Sequence, residues 1–322
     1  MIVMTNSQKK VLLIAGAGTL GTKVSAELLK QNCKVDVICL EEQKSDHCNL
    51  TYYQQRATLE FLTEFLHDRY YDAIVNFLHY PVAEEYPSYH QLLSAKTKQL
   101  VFLSSYRVYA DKQHPVTETA PQLADVIDND QEFLQNENYA LPKSKCENYI
   151  RGSGTDNWTI VRPVISFSNL RFDIVCNTGR KVIEAAEQGK KLFVPEASRK
   201  LTAGLDWAGN SGKLIANLLF KKEALQEAFT VSSGQNLTWG EIADIYTDLL
   251  GVEFEWVSTE EYGNMIRKGW GNDWFFVYDR LFDRDIDCSK VLSVTGLKNE
   301  DFLPLREAIA LELKSLNAIP KP

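Results

Sequence analysis

No apolar run in this chain approaches the roughly 20 residues that a membrane-spanning helix requires. Met1 to Lys10 holds no hydrophobic stretch of secretory length, so a cytoplasmic protein is expected. Long basic runs are missing too. With 35 Lys and Arg against 43 Asp and Glu, the formal net charge is −8, which argues against a nucleic-acid or anionic-membrane surface. The six cysteines, at positions 33, 39, 48, 146, 176 and 288, include no CxxC and no metal-ligand spacing, so reduced thiols are expected. Histidine is scarce, five in all, and His67, His79, His90 and His114 form no ligand set, so no metal is expected. Repeats and low-complexity tracts are absent, so no flexible linker divides the 322 residues. What is present is an ordinary globular composition, 44% hydrophobic and 24% charged. The length suits one large domain or two intimate ones.

The most informative stretch is Val11-Leu12-Leu13-Ile14-Ala15-Gly16-Ala17-Gly18-Thr19-Leu20-Gly21. Four consecutive aliphatic residues predict a buried parallel strand. Gly16-x-Gly18-x-x-Gly21 then turns the chain into a helical pattern, Thr22 to Lys30, with Val24, Leu28 and Leu29 on one face. This is the order a dinucleotide-binding turn needs: a tight turn, a close backbone approach to a pyrophosphate, and close strand–helix packing. The free N–H groups and dipole of the helix start would face the phosphates.

Further strands are predicted at 34–40, 49–54, 71–78 and 99–103, and helices at 59–68 and near 89–96. This β-α alternation predicts a parallel sheet covered by helices on both faces, with ligands bound beyond the carboxyl ends of the strands. An acid ending the second strand would bind the ribose 2′-hydroxyl of NAD and repel the 2′-phosphate of NADP. Glu41 is the candidate; Asp36 is nearer the usual offset but falls inside the strand, and Glu41-Glu42 also reads as a solvated loop. The fifth strand runs into Ser104-Ser105 at the ligand end. In Asn138-Tyr139-Ala140-Leu141-Pro142-Lys143, a helix starting near Pro142 would place Lys143 one turn after Tyr139. An ammonium beside a phenol favours the phenolate, making Tyr139 a usable acid/base for a carbonyl/alcohol pair.

Four motifs in this order resemble the extended short-chain dehydrogenase/reductase family, in its nucleotide-sugar epimerase/dehydratase branch. They are the glycine loop, Leu103-Ser104-Ser105-Tyr106-Arg107-Val108-Tyr109, Tyr139-x-x-x-Lys143, and Trp158-Thr159-Ile160-Val161-Arg162-Pro163. Val116-Thr117-Glu118, Leu205-Asp206-Trp207-Ala208 and Ile286-Asp287-Cys288-Ser289-Lys290 are further echoes, so the resemblance covers nearly the whole chain. It implies a Rossmann-type doubly wound parallel sheet over residues 1–165, completed by segments near 201–233. Residues 166–322 would form mainly a smaller substrate-binding lobe interwoven with it. Ser105 would hydrogen-bond the reacting substrate oxygen, Tyr139 would move its proton, and Lys143 would hold the nicotinamide ribose and tune Tyr139. Gly16, Gly18, Thr19, Leu20, Gly21, Glu41, Leu78, Lys143 and Pro163 would hold the cofactor, expected to be NAD with NADP still open. The substrate would be a nucleotide-activated sugar, and the protein a homodimer paired through the Tyr139–Lys143 helix and its neighbour.

The chain also departs from that family's pattern. Leu78 and His79 stand where small residues usually let the cofactor pass, Glu85 replaces an asparagine, and Ile165 occupies a substrate-facing asparagine's place. Ala15 replaces the first glycine, and Tyr106-Arg107 replaces the Asp-Glu pair of sugar dehydratases, which disfavours dehydration. A non-catalytic, cofactor-binding sensor or scaffold is the alternative these changes raise. His79 reads either as a proton shuttle or as an ordinary loop histidine. In the second half, Arg171, Arg180, Lys181, Lys190 and Lys191 suit either a diphosphate or solvent. Leu201–Trp207 is predicted to return to the sheet, Asn210–Phe220 to be helical and Ala228–Ser232 to be a strand. Thr238 with Glu241 forms a capping box. Trp270, Trp274, Phe275 and Phe276 would either stack on a ligand or fill a core.

Overall fold

In the computed structural model, which describes residues 8–270 and 274–318, the first strand β1 (Lys10–Ile14) is fully enclosed from Val11 onward. Its side chains alternate between two cores. Val11 and Leu13 face one with Val24, Leu28, Leu214 and Leu218, whereas Leu12 and Ile14 face another with Leu62, Phe65 and Leu93. A strand buried on both faces needs such an unbroken aliphatic run. The remaining strands are β2 (Lys34–Cys39), β3 (Leu50–Gln54), β4 (Ala73–Asn76), β5 (Leu100–Leu103), β6 (Trp158–Pro163), β7 (Ile165–Phe167), β8 (Leu192–Pro195), β9 (Leu205–Trp207), β10 (Glu227–Val231) and β11 (Phe254–Val257).

Seven of them form one parallel sheet in the order β3-β2-β1-β4-β5-β6-β10. The chain winds outward from β1 to β3, then restarts at β4 on β1's other side. This is the doubly wound arrangement, and the reversal between β1 and β4 opens a crevice at their carboxyl ends. Helices Thr19–Lys30 and Ala208–Leu218 cover one face, and Leu59–Phe65, Tyr86–Ser94 and Ala140–Gly152 the other.

Leu201–Trp207 does not return to this sheet. Its β9 pairs with β7 in a separate parallel pair, anchored by the Ile165 N–H donating to Gly204 O at 2.8 Å. The place beside β6 is taken by Glu227–Val231, whose Ala228, Phe229, Thr230 and Val231 are buried. β8 and β11 form a second small pair in the C-terminal half. There a core built on Phe167, Phe172, Trp239, Tyr246 and Ile309 forms a smaller lobe beside the sheet. The Thr238 capping box is present, with Thr238 Oγ1 accepting from Glu241 N at 3.2 Å and Glu241 Oε2 accepting from Thr238 N at 2.8 Å. No helix among the described residues is long and apolar enough to cross a membrane.

Candidate active site

The loop after β1 divides its labour among small residues. Ala15 takes the left-handed conformation, φ +57°, at the turn itself. A Cβ on Gly16 would come within 2.6 Å of Leu13 Cβ, and one on Gly21 within 2.3 Å of Gly16 O, so both are needed for the loop, strand and helix to touch. Gly18 differs: a Cβ there would meet nothing within 4 Å. Gly18 is also the N-cap of the Thr19–Lys30 helix and supplies no side-chain cap. The first turn is therefore left without a side-chain cap, and its Thr19 and Leu20 line a cavity, the arrangement that receives a phosphate.

Two cavities flank this helix start. One of about 390 Å³ is lined by Ala15, Gly18, Cys39, Glu41, Arg56, Leu78, His79 and Glu85, among others. The other, of about 330 Å³, is lined by Thr19, Leu20, Ser105, Arg107, Tyr139, Pro163, Ile165, Arg171, Phe275 and Arg280, among others. Uncapped N–H groups between two hollows fit an extended dinucleotide with its pyrophosphate at the centre. Gly16 and Gly21 stay behind this surface as scaffolding, and Asp36 is taken up inside the sheet, accepting from Tyr71 OH at 2.8 Å.

Ser105 lies two residues beyond β5, and its Oγ accepts from Arg107 N at 3.2 Å, capping the short turn Tyr106–Val108. Among the described residues nothing accepts from its own O–H, which is left to donate to a ligand. Tyr139 immediately precedes the Ala140–Gly152 helix. That helix begins earlier than Pro142 because Glu137 holds it open: Oε1 accepts from Ala140 N at 3.0 Å and Oε2 from Leu141 N at 2.9 Å. Proline then falls in the first turn, where a missing N–H costs nothing. The Tyr139 ring lies 5.1 Å from the His79 ring and 4.8 Å from the Arg107 guanidinium.

Lys143 is 3% exposed and donates to Leu103 O and, at 3.5 Å, to Leu78 O, with the Phe102 ring 5.0 Å away. Burial pushes its pKa down to about 8. The ammonium thus sits at the carboxyl ends of β4 and β5, and no hydrogen bond joins it to the Tyr139 hydroxyl among the described residues. His79 Nε2 donates to Asn138 O at 2.8 Å, since a carbonyl only accepts. Burial and then the Lys143 charge hold its pKa below the ordinary histidine value. Of the four C-terminal aromatics, Phe275 lines the cavity, Phe276 is buried in the lobe core, and Trp274 packs edge-on against Phe133 at 6.0 Å. The Trp270 side chain lies outside the described residues.

Sequence reading did not find the cluster of arginines behind the cavity. Asp279 Oδ2 accepts from Arg280 Nη1 at 2.7 Å and from Tyr106 OH at 3.1 Å, and Oδ1 from Arg284 Nη2 at 3.2 Å. Asp173 accepts from Arg171 at 2.6 Å and Arg280 at 3.2 Å. Burial alone would raise the Asp279 pKa; Arg280, Arg107 and Arg284 together hold it below the ordinary value. The signal was the repeat Asp279-Arg280-Leu281-Phe282-Asp283-Arg284, an acid–base pair recurring four residues on. No group of His, Cys, Asp and Glu suited to a metal occurs among the described residues.

No family model and no curated sequence matches the chain. Solved structures do. The epimerase Mth375 of Methanothermobacter thermautotrophicus is similar at a TM-score of 0.70 and 14% identity, covering 96% of this chain and 92% of that one. The Bordetella bronchiseptica enzyme WbmH, solved in complex with NAD+, gives 0.67 and 18%, covering 96% and 98%. The UDP-N-acetylglucosamine 4-epimerase of Bacillus cereus gives 0.67 and 16%, covering 98% and 99%. At these identities the likeness is one of fold: the chain has the Rossmann-type fold of these structures along nearly its whole length.

Proposed function

We propose that the chain is an NAD-dependent oxidoreductase or epimerase acting on a nucleotide-activated sugar. One observation carries this reading: Ser105 and Tyr139 share a cavity wall with Thr19 and Leu20, at the uncapped start of the glycine-loop helix. An acid/base pair and a phosphate cradle thereby meet in one crevice. Relatives in fold support the cofactor and substrate class, since WbmH was solved with NAD+ and a Thermotoga maritima UDP-glucose 4-epimerase with UDP-glucose.

In this reading Ser105 Oγ–H donates to a sugar oxygen, and Tyr139, acting as the phenolate, takes up the hydroxyl proton to become the phenol as the carbinol carbon loses hydride, leaving a ketone. The nicotinamide supplies the hydride acceptor and donor. Lys143 places positive charge behind the site from the ends of β4 and β5. Re-reduction on the other face would make the protein an epimerase; release or uptake of the ketone would make it a reductase. Glu41 and Arg56 both line the adenosine-side cavity, so the carboxylate favours NAD while the guanidinium offers a partner to a 2′-phosphate. A homodimer belongs to the proposal through the resemblance.

Titration with NAD, NADH, NADP and NADPH, followed by UDP-, dTDP- and GDP-sugars, tests the reading. We expect dinucleotide binding and sugar turnover, with Tyr139→Phe keeping the binding and losing at least about 100-fold in kcat. No dinucleotide binding at millimolar concentration would end the enzyme reading, and unimpaired Tyr139→Phe would end the mechanism.

A further inference from the structure

Arg107 stands out among the charged groups of the site because it is held in place without being used. Its guanidinium lies 4.8 Å over the Tyr139 ring and 5.1 Å from the Phe275 ring, with the side chain 18% exposed. Two carboxylates flank it at ion-pair distance, Glu137 Oε1 at 3.7 Å from Nη2 and Asp279 Oδ2 at 3.5 Å from Nε. Neither is a hydrogen bond, and Nε is buried with no hydrogen-bond partner. Both carboxylates have other work. Glu137 caps the Ala140–Gly152 helix with both oxygens, and Asp279 accepts from Tyr106, Arg280 and Arg284. Among the described residues the guanidinium donates no hydrogen bond at all. With Nε buried toward Asp279, the four N–H donors of the two Nη groups are left for something that enters the 330 Å³ cavity.

The surrounding charge agrees. Arg107, Arg171 and Arg280 line the cavity, and no Asp or Glu stands among its described lining residues, so the wall is positive. Arg280 and Arg284 spend theirs on the aspartates, whereas Arg107 lies directly on Tyr139. Whatever Arg107 binds is therefore on the reacting part of the substrate, not on a phosphate carried further from Tyr139. A planar fork within about 5 Å of two aromatic rings matches a planar two-oxygen anion.

Resting on the function proposed above, we propose that Arg107 selects a sugar bearing a carboxylate, so that the substrate is a nucleotide-activated hexuronate in preference to the neutral hexose. The test is calorimetric binding to the NAD-saturated protein, with kcat/KM alongside, using the pairs UDP-glucuronate/UDP-glucose and GDP-mannuronate/GDP-mannose, and UDP and GDP alone. Wild type should prefer the uronate of at least one pair by about 30-fold or more, the worth of a charge-assisted bidentate contact. Arg107→Gln should collapse that ratio to near one, and Arg107→Lys should leave it intermediate. Circular dichroism and NAD affinity check that both variants fold. Equal treatment of uronate and hexose by wild type overturns the inference while leaving the nucleotide-sugar reading intact. So does an Arg107→Gln loss that falls equally on UDP or GDP alone, which would make Arg107 a phosphate ligand. Failure of every nucleotide sugar to bind overturns both.

Discussion

Lys143 carries its charge where water cannot reach it, and that has a consequence for stability. Its pKa falls from 10.5 in the unfolded chain to about 8 in the folded one because burial disfavours the ammonium. Below pH 8 both states hold the proton and the buried charge weakens the fold. Between about pH 8 and 10.5 the folded chain has released the proton while the unfolded chain still binds it, so stability rises with pH. Measured by urea unfolding against Lys143→Met, wild type should gain about 2–3 kcal/mol from pH 7.5 to 10.5. Parallel pH profiles would show that the ammonium is solvated after all. Ala15 is a second residue held against its preference: φ +57° costs an alanine about 1 kcal/mol, in the place the family resemblance gives to glycine. The sequence showed that substitution, but only the backbone shows that the left-handed turn survived it.

The strand–loop–helix element from Lys10 to Lys30 separates what the fold needs from what a ligand needs. Gly21→Ala drives a methyl to 2.3 Å from Gly16 O and should destabilise the protein by about 1–3 kcal/mol in thermal or urea unfolding. Gly18→Ala meets nothing within 4 Å, so its stability should stay within about 0.5 kcal/mol of wild type. The same methyl enters the space in front of the helix N-terminus, and NAD affinity should fall about tenfold or more. Undiminished dinucleotide binding by Gly18→Ala would show that the pyrophosphate does not lie there. Three glycines at fixed spacing look alike in a sequence; packing distances tell them apart.

At the scale of the whole molecule, the buried charge cluster ties the β5 loop at Tyr106 and Arg107 to Asp173 and to the 279–284 segment. It thereby holds the C-terminal lobe against the sheet beside the cavity. Removing one member should be costly, because the partners stay buried and charged. Asp279→Asn should destabilise the protein by about 3–5 kcal/mol in urea unfolding, since it leaves Arg280 and Arg284 without their shared carboxylate. A loss below about 1 kcal/mol would mean that solvent or Asp173 compensates.

By itself the sequence determined the parallel strands of the first half and the order of the glycine loop, Ser105, Tyr139 and Lys143. Those features are local: an aliphatic run needs burial on both faces, and a motif keeps its spacing along the chain. The tertiary structure alone decided the rest. It gave Leu201–Trp207 a small pair of its own, because Glu227–Val231 occupies the place beside β6. It set Lys143 on the carbonyls of Leu78 and Leu103, brought Arg56 and Glu41 to the lining of one cavity, and gathered Arg107, Arg171 and Arg280 in the lining of the other. Such meetings join residues far apart in the chain, as Tyr106 and Arg280 are at 174 positions. No periodicity or spacing rule reaches that far, because the contacts exist only once the sheet and the lobe have closed on each other.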